Sequence, residues 1–177
     1  MIHRELHQFL LSMKEVGERL PACPDVEGMW EEIAKVCIPE ELMGSADYPT
    51  ASLGWMMYVG MAVAKYLDED RENCSGMEDL YAFLKEKRGY DSMDGFLREN
   101  ILSLKGVDDT VLEKLTDECS SRVYGVLCRQ AVGQGTAEAF DAYVSCLHQL
   151  YLFGAAIQLN RMGHHETETV GYNDNCQ

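Results

Sequence analysis

The sequence is short of proline, of basic side chains and of long apolar runs. Four prolines in 177 residues leave long stretches free to continue as helix without a forced break. The most apolar run, residues 53–64, is interrupted by glycines and stops at Lys65, so as a helix it is too short for about 30 Å of hydrocarbon. The opening residues Met1-Ile2-His3-Arg4-Glu5 lack the basic head and unbroken apolar stretch of a secretory leader. Lysine and arginine number 15 against 30 acids, a net charge of −15, which argues against non-specific binding to nucleic acid or to an anionic membrane.

Several chemical signatures are also missing. There is no Gly-x-x-x-x-Gly-Lys-Ser/Thr loop, no Gly-x-Gly-x-x-Gly after a strand and no Gly-x-Ser-x-Gly elbow, so phosphate cradling and serine hydrolase chemistry have no local support. None of the histidines at 3, 7, 148, 164 and 165 has a glutamate three residues before it, which removes the di-iron bundle pattern. The acidic cluster 68–72 lacks the spacing and central glycine of an EF-hand loop. No cofactor is evident. Seven cysteines, an odd number with no Cys-x-x-Cys spacing, read as reduced thiols. Cys119, Cys128 and Cys146 fall within apolar helical patterns and behave as small hydrophobes, so a cytoplasmic location is expected.

What is present is helical periodicity almost throughout. Apolar residues recur every three or four positions from Ile2 to Leu20, where Pro21 stops the first helix. Pro24-Asp25 opens a second that ends before Pro39. Residues 39–52 form the longest irregular stretch. A third helix at 53–70 is apolar nearly all round, the mark of burial on most sides. Gly54, Gly60, Ala62 and Ala64 should let neighbouring helices approach it closely. A capping box at Ser75 to Glu78 opens a short helix, and a second short one starts at Asp91 or Ser92 and closes at Gly106. Thr110 to Glu113 repeats the box at the head of a long helix, and Thr136 caps the last, which reaches Met162. The expectation is all-α: one helical bundle domain at 1–162 with about five longer helices and two short ones, the helix at 53–70 at its centre, and a flexible tail at 163–177.

Three local patterns carry candidate chemistry. His3 and His7 are four apart, so one helix face presents both imidazoles to a single metal ion, with a third ligand from His164, His165 or Glu166. His148 sits in a stretch without lysine or arginine from 130 to 160, where a general base near neutral pH is conceivable. Asp47, Tyr48, Thr50, Ser52, Trp55 and Tyr58 combine a long loop with the head of the buried helix, a place for a small acidic ligand at the free amides. Each has a plainer structural explanation: a solvated helix face, a histidine at the core edge, and aromatic residues packed in the core.

Charge gives the leading functional reading. Residues 1–48 hold ten acids and four bases. That asymmetry points to a non-enzymatic protein-interaction module whose acidic face, around Glu27, Glu31 and Glu32, meets a basic protein partner. A homodimer through an exposed face of the last helix is a further expectation. The alternative is a small-ligand or metal-binding bundle, with or without catalysis. Concavity separates the two, since a pocket with converging polar groups favours a ligand and a flat acidic face favours a partner.

Overall fold

The structure, a computed structural model, describes residues 2–21, 23–38, 51–69, 75–87, 93–129 and 135–163. Its elements are α1 (Ile2–Ser12), α2 (Pro24–Gly28), α3 (Trp30–Cys37), α4 (Ala51–Glu69), α5 (Ser75–Lys87), α6 (Met93–Phe96), which continues into a π-helical turn (Leu97–Ile101), α7 (Gly106–Arg129) and α8 (Ala137–Arg161). The fold is all-α, as the periodicity predicts, and there is no strand among the described residues. None of the described helices is long and apolar enough to cross a membrane. Residues 164–177 of the expected tail and the 39–50 part of the irregular stretch lie outside the described residues.

The centre is α4. Every residue from Trp55 to Ala64 is buried, because helices cover it on all sides: α8 along its length, with α7, α2, α5, α6 and the π turn around the remainder. Two glycines set the closest of these contacts. A Cβ on Gly60 would fall on the Tyr151 carbonyl oxygen and lie 2.9 Å from its carbon and 3.1 Å from Ala155 N. A Cβ on Gly154 would fall on the Met57 carbonyl oxygen and lie 2.9 Å from the Met57 Cα. Met57 faces Gly154 while Gly60 faces Tyr151, so the two helices run antiparallel with backbone against backbone. Gly54 is less demanding, since Ser120 Oγ and Thr116 Cγ2 of α7 would lie at ordinary contact distances of 3.6 and 3.9 Å.

Several boundaries differ from the periodic pattern for identifiable reasons. The first helix ends at Ser12, well before Pro21, because Lys14 adopts a left-handed φ of 61°. Lys14 N then donates to Leu11 O and Glu15 N to Leu10 O, both at 3.0 Å, which is the Schellman pairing with lysine where glycine is usual. The second pattern splits into α2 and α3 at Met29, directly after Gly28, a common place for a helix to bend. Gly106, with φ 63°, begins α7 rather than closing the element before it. Thr110 therefore lies inside the helix and its hydroxyl donates to Gly106 O at 3.1 Å. Thr136 caps α8 as expected, accepting from Ala139 N at 3.2 Å.

The π turn is held from both sides. Arg98 reaches Asp109 at 2.7 Å and Glu113 at 3.0 Å on α7, and its guanidinium lies 5.8 Å from the centre of the Tyr58 ring on α4. Lys65 of α4 donates to Ile101 O at 2.7 Å, covering a carbonyl at the end of the turn. The Arg98 hydrogen bond holds the Asp109 carboxyl below its usual range.

The glycine contact makes a signed prediction. Gly60→Ala should destabilise the protein at or above the upper end of the ~1–3 kcal/mol of overpacking, because the obstacle is backbone. Gly125→Ala, where nothing lies within 4 Å of the added Cβ, should stabilise α7 by about 0.5–1 kcal/mol. Urea denaturation of the two variants checks both signs.

Candidate functional site

The N-terminal elements meet α8 in a strip of polar and aromatic groups. Trp30 at the start of α3 stacks on His148 of α8, with ring centres 4.6 Å apart and planes 17° from parallel. One turn further along α8, Tyr151 lies 5.4 Å from the same indole and its hydroxyl donates to Val26 O at 2.8 Å. That buried bond ties α2 to α8. Burial pushes the Tyr151 phenol well up from its usual value, so it stays a donor.

His148 is half-buried and its Nε2 has no hydrogen-bond partner among the described residues. Burial lowers its pKa from the ordinary 6.5, with Glu27 pulling weakly the other way. Withdrawal from water favours the neutral ring. The arrangement fits an aromatic packing group, and no hydroxyl or thiol nucleophile is bonded to it among the described residues.

Just below this strip lies a cavity of about 160 Å³ between the start of α1, the connection into α2, and α8. Phe153, Ala155, Ala156 and Leu159 of α8 supply an apolar wall, recessed where the alanines stand. His3, Cys23 and Glu27 line it as the polar residues. The His3 ring stands 5.1 Å from Phe153. Nothing local in the sequence signals this meeting, because Cys23 and Glu27 are brought to α8 from more than a hundred residues away.

The two histidines of α1 share a face, as their spacing predicts. Their ring centres are 6.2 Å apart, and both rings lie against Phe153. His7 Nε2 donates to Gly17 O at 3.0 Å, which commits that nitrogen to the turn after α1 and leaves Nδ1. Among the described residues no three histidine, cysteine, aspartate or glutamate side chains converge to hold a metal ion. His164, His165 and Glu166, the candidate third ligands, lie outside those residues.

The other predicted ligand residues divide in the same way. Asp47, Tyr48 and Thr50 fall outside the described residues. Ser52, Trp55 and Tyr58 are buried at 6%, 5% and 3% exposure, and Trp55 Nε1 has no partner among the described residues. Burial pushes the Tyr58 phenol up. Trp55 and Tyr58 belong to the core cluster, which agrees with their packing role.

The acidic residues stand differently. Glu27, Glu31 and Glu32 are exposed, together with Asp25. Glu32 is bonded to Lys35 at 2.7 Å, while Asp25, Glu27 and Glu31 form no ion pair among the described residues. The thiols of Cys37 and Cys119 are pushed by burial up to about 12 and that of Cys146 to about 11, so none of the three is a thiolate at neutral pH. Cys23, Cys37, Cys119, Cys128 and Cys146 are all free.

The His148 environment makes stability depend on pH in a definite direction. The unfolded chain takes up a proton near pH 6.5, which the folded chain accepts only at lower pH. The stability that neutral His148 contributes is complete above that value and is lost as pH falls through it toward the folded pKa. Between about pH 7.5 and 5.5 the wild type should therefore lose more stability than His148→Gln. Equal losses in denaturant melts would remove this role for the ring. No protein-family model, curated protein or solved structure matches the chain, so the functional reading rests on the chain's own geometry.

Proposed function

We propose that this chain is a non-enzymatic helical interaction module of a reducing, cytoplasmic compartment, and that its α2–α3 face receives a basic segment of a partner protein. One observation carries the reading. Three of the eight arginines are engaged with carboxylates elsewhere in the bundle: Arg98 with Asp109 and Glu113, Arg122 with Glu118 and Glu5, Arg161 with Glu15. Four exposed carboxylates within residues 25–32 meanwhile face Lys35 as the one lysine or arginine on α2 and α3. Such a patch speeds encounter with an oppositely charged partner and disfavours acidic ones. Part of its composition also serves the fold, because Asp25, Glu27, Glu31 and Glu32 all sit in first helical turns, where negative charge is favourable.

The reading does not rest on a homodimer: Tyr143, Cys146, Leu147, Leu150, Tyr151 and the 153–157 stretch of α8 are buried within the chain. The free thiols are in keeping with a reducing compartment.

Replacing Glu27, Glu31 and Glu32 by Lys should weaken capture of a lysate partner about tenfold at low salt and flatten its salt dependence. The control is the triple variant Asp117→Lys, Glu138→Lys, Asp141→Lys, which changes the net charge equally at exposed positions of α7 and α8. Partner capture that survives the first set, or falls equally with both, contradicts the reading.

A further inference from the structure

We propose that the cavity between α1, the connection into α2, and α8 binds a small organic cation, an ammonium group carried on a compact apolar body. Its volume of about 160 Å³ is that of cavities which take up a single benzene ring, so the body has about six to eight non-hydrogen atoms. Phe153, Ala156 and Leu159 offer that body an apolar wall, and the His3 ring beside Phe153 extends its aromatic part. Native interiors are close-packed, and a void with partly polar walls is a place that water or a ligand fills.

The charge of the ligand follows from the rim. Glu27 is exposed and lines the cavity, and among the lining residues it is the one carboxylate, with no lysine or arginine beside it. An ammonium group there keeps part of its hydration while bonding to a carboxylate, which avoids the cost of burying an isolated ion. An anion of the same shape would meet Glu27 and the field of a chain with net charge −15. The cavity therefore selects by size within and by charge at its mouth. Glu27 is shared with the proposed partner surface, whereas Glu31 and Glu32 do not line the cavity, so binding of the small probes tests the cavity separately from partner capture.

The test is a titration of the ¹⁵N-labelled protein with benzylamine, benzyl alcohol and benzoate, each to about 10 mM, followed by amide shifts. Those limits correspond to the weak affinity expected of so few atoms. Benzylamine should shift amides around His3, Cys23, Glu27 and Ala156. It should bind more tightly than benzyl alcohol, and benzoate should not bind. Glu27→Gln, a change at an exposed position, should weaken benzylamine about fivefold and leave benzyl alcohol unchanged. Ala156→Leu should fill the cavity and abolish both. If that variant fails to fold, Glu27→Gln and the three probes still decide. No shifts with benzylamine, benzoate binding as tightly, or an unchanged benzylamine affinity in Glu27→Gln overturns the proposal.

Discussion

The backbone contact between α4 and α8 at Gly60 and Gly154 is the constraint on which the rest of the structure depends. Two helices at that distance leave no room for a Cβ on either glycine, so the packing gained there comes from backbone atoms in van der Waals contact. Each glycine costs its own helix about 1 kcal/mol of propensity. The return is that α8 covers the length of α4, whose residues from Trp55 to Ala64 are all withdrawn from water. α7, α2 and the π turn then close the other sides of α4. The cavity follows from the same arrangement. α8 is held in place from the α4 side while small side chains, Ala155 and Ala156, line the cavity toward α2.

Electrostatics shapes the periphery. Arg98 is mostly buried, with 13% of its side chain exposed, and clamps the π turn to the first turns of α7. Arg122 joins α7 to α1 and also lies over the Phe9 ring, 4.3 Å from its centre. Arg161 and Asn160 secure the chain after α1 through Glu15. These three arginines are engaged outside α2 and α3, on which Lys35 is the one lysine or arginine. One of the carboxylates of the proposed partner face, Glu27, also stands at the cavity mouth. The partner face is an open surface, and the cavity that Glu27 borders is a recess beside it.

How much of this the residues disclose depends on the range of the interaction. Helical period is a local property, and the all-round apolar character of residues 53–64 correctly marks a helix buried on every side. Gly60 within that run signals close approach, but its partner Gly154 is named only by the packing. Helix ends are less legible. Lys14 in a left-handed conformation gives no compositional warning, because glycine is the residue expected there, and the box-like Thr110 to Glu113 lies one turn inside a helix that starts at Gly106. The i,i+4 pair Asp109 and Glu113 could have suggested a shared cation, although not that it is Arg98. For the site, the shared face of His3 and His7 was readable from spacing. The stack of Trp30 on His148, and the meeting of Cys23 and Glu27 with α8, join elements more than a hundred residues apart, and no local pattern records them.

Native-state amide hydrogen exchange tests the central claim most directly, because it reports the opening of each helix separately. If the α4–α8 contact organises the bundle, the amides of residues 57–64 and 151–157 form the slowest class and share one opening free energy, equal to that of global unfolding. The amides of α1, α2 and α3 exchange through smaller openings that leave this pair intact. Slowest exchange in α7 or in the N-terminal helices, or different opening energies for α4 and α8, would contradict the account.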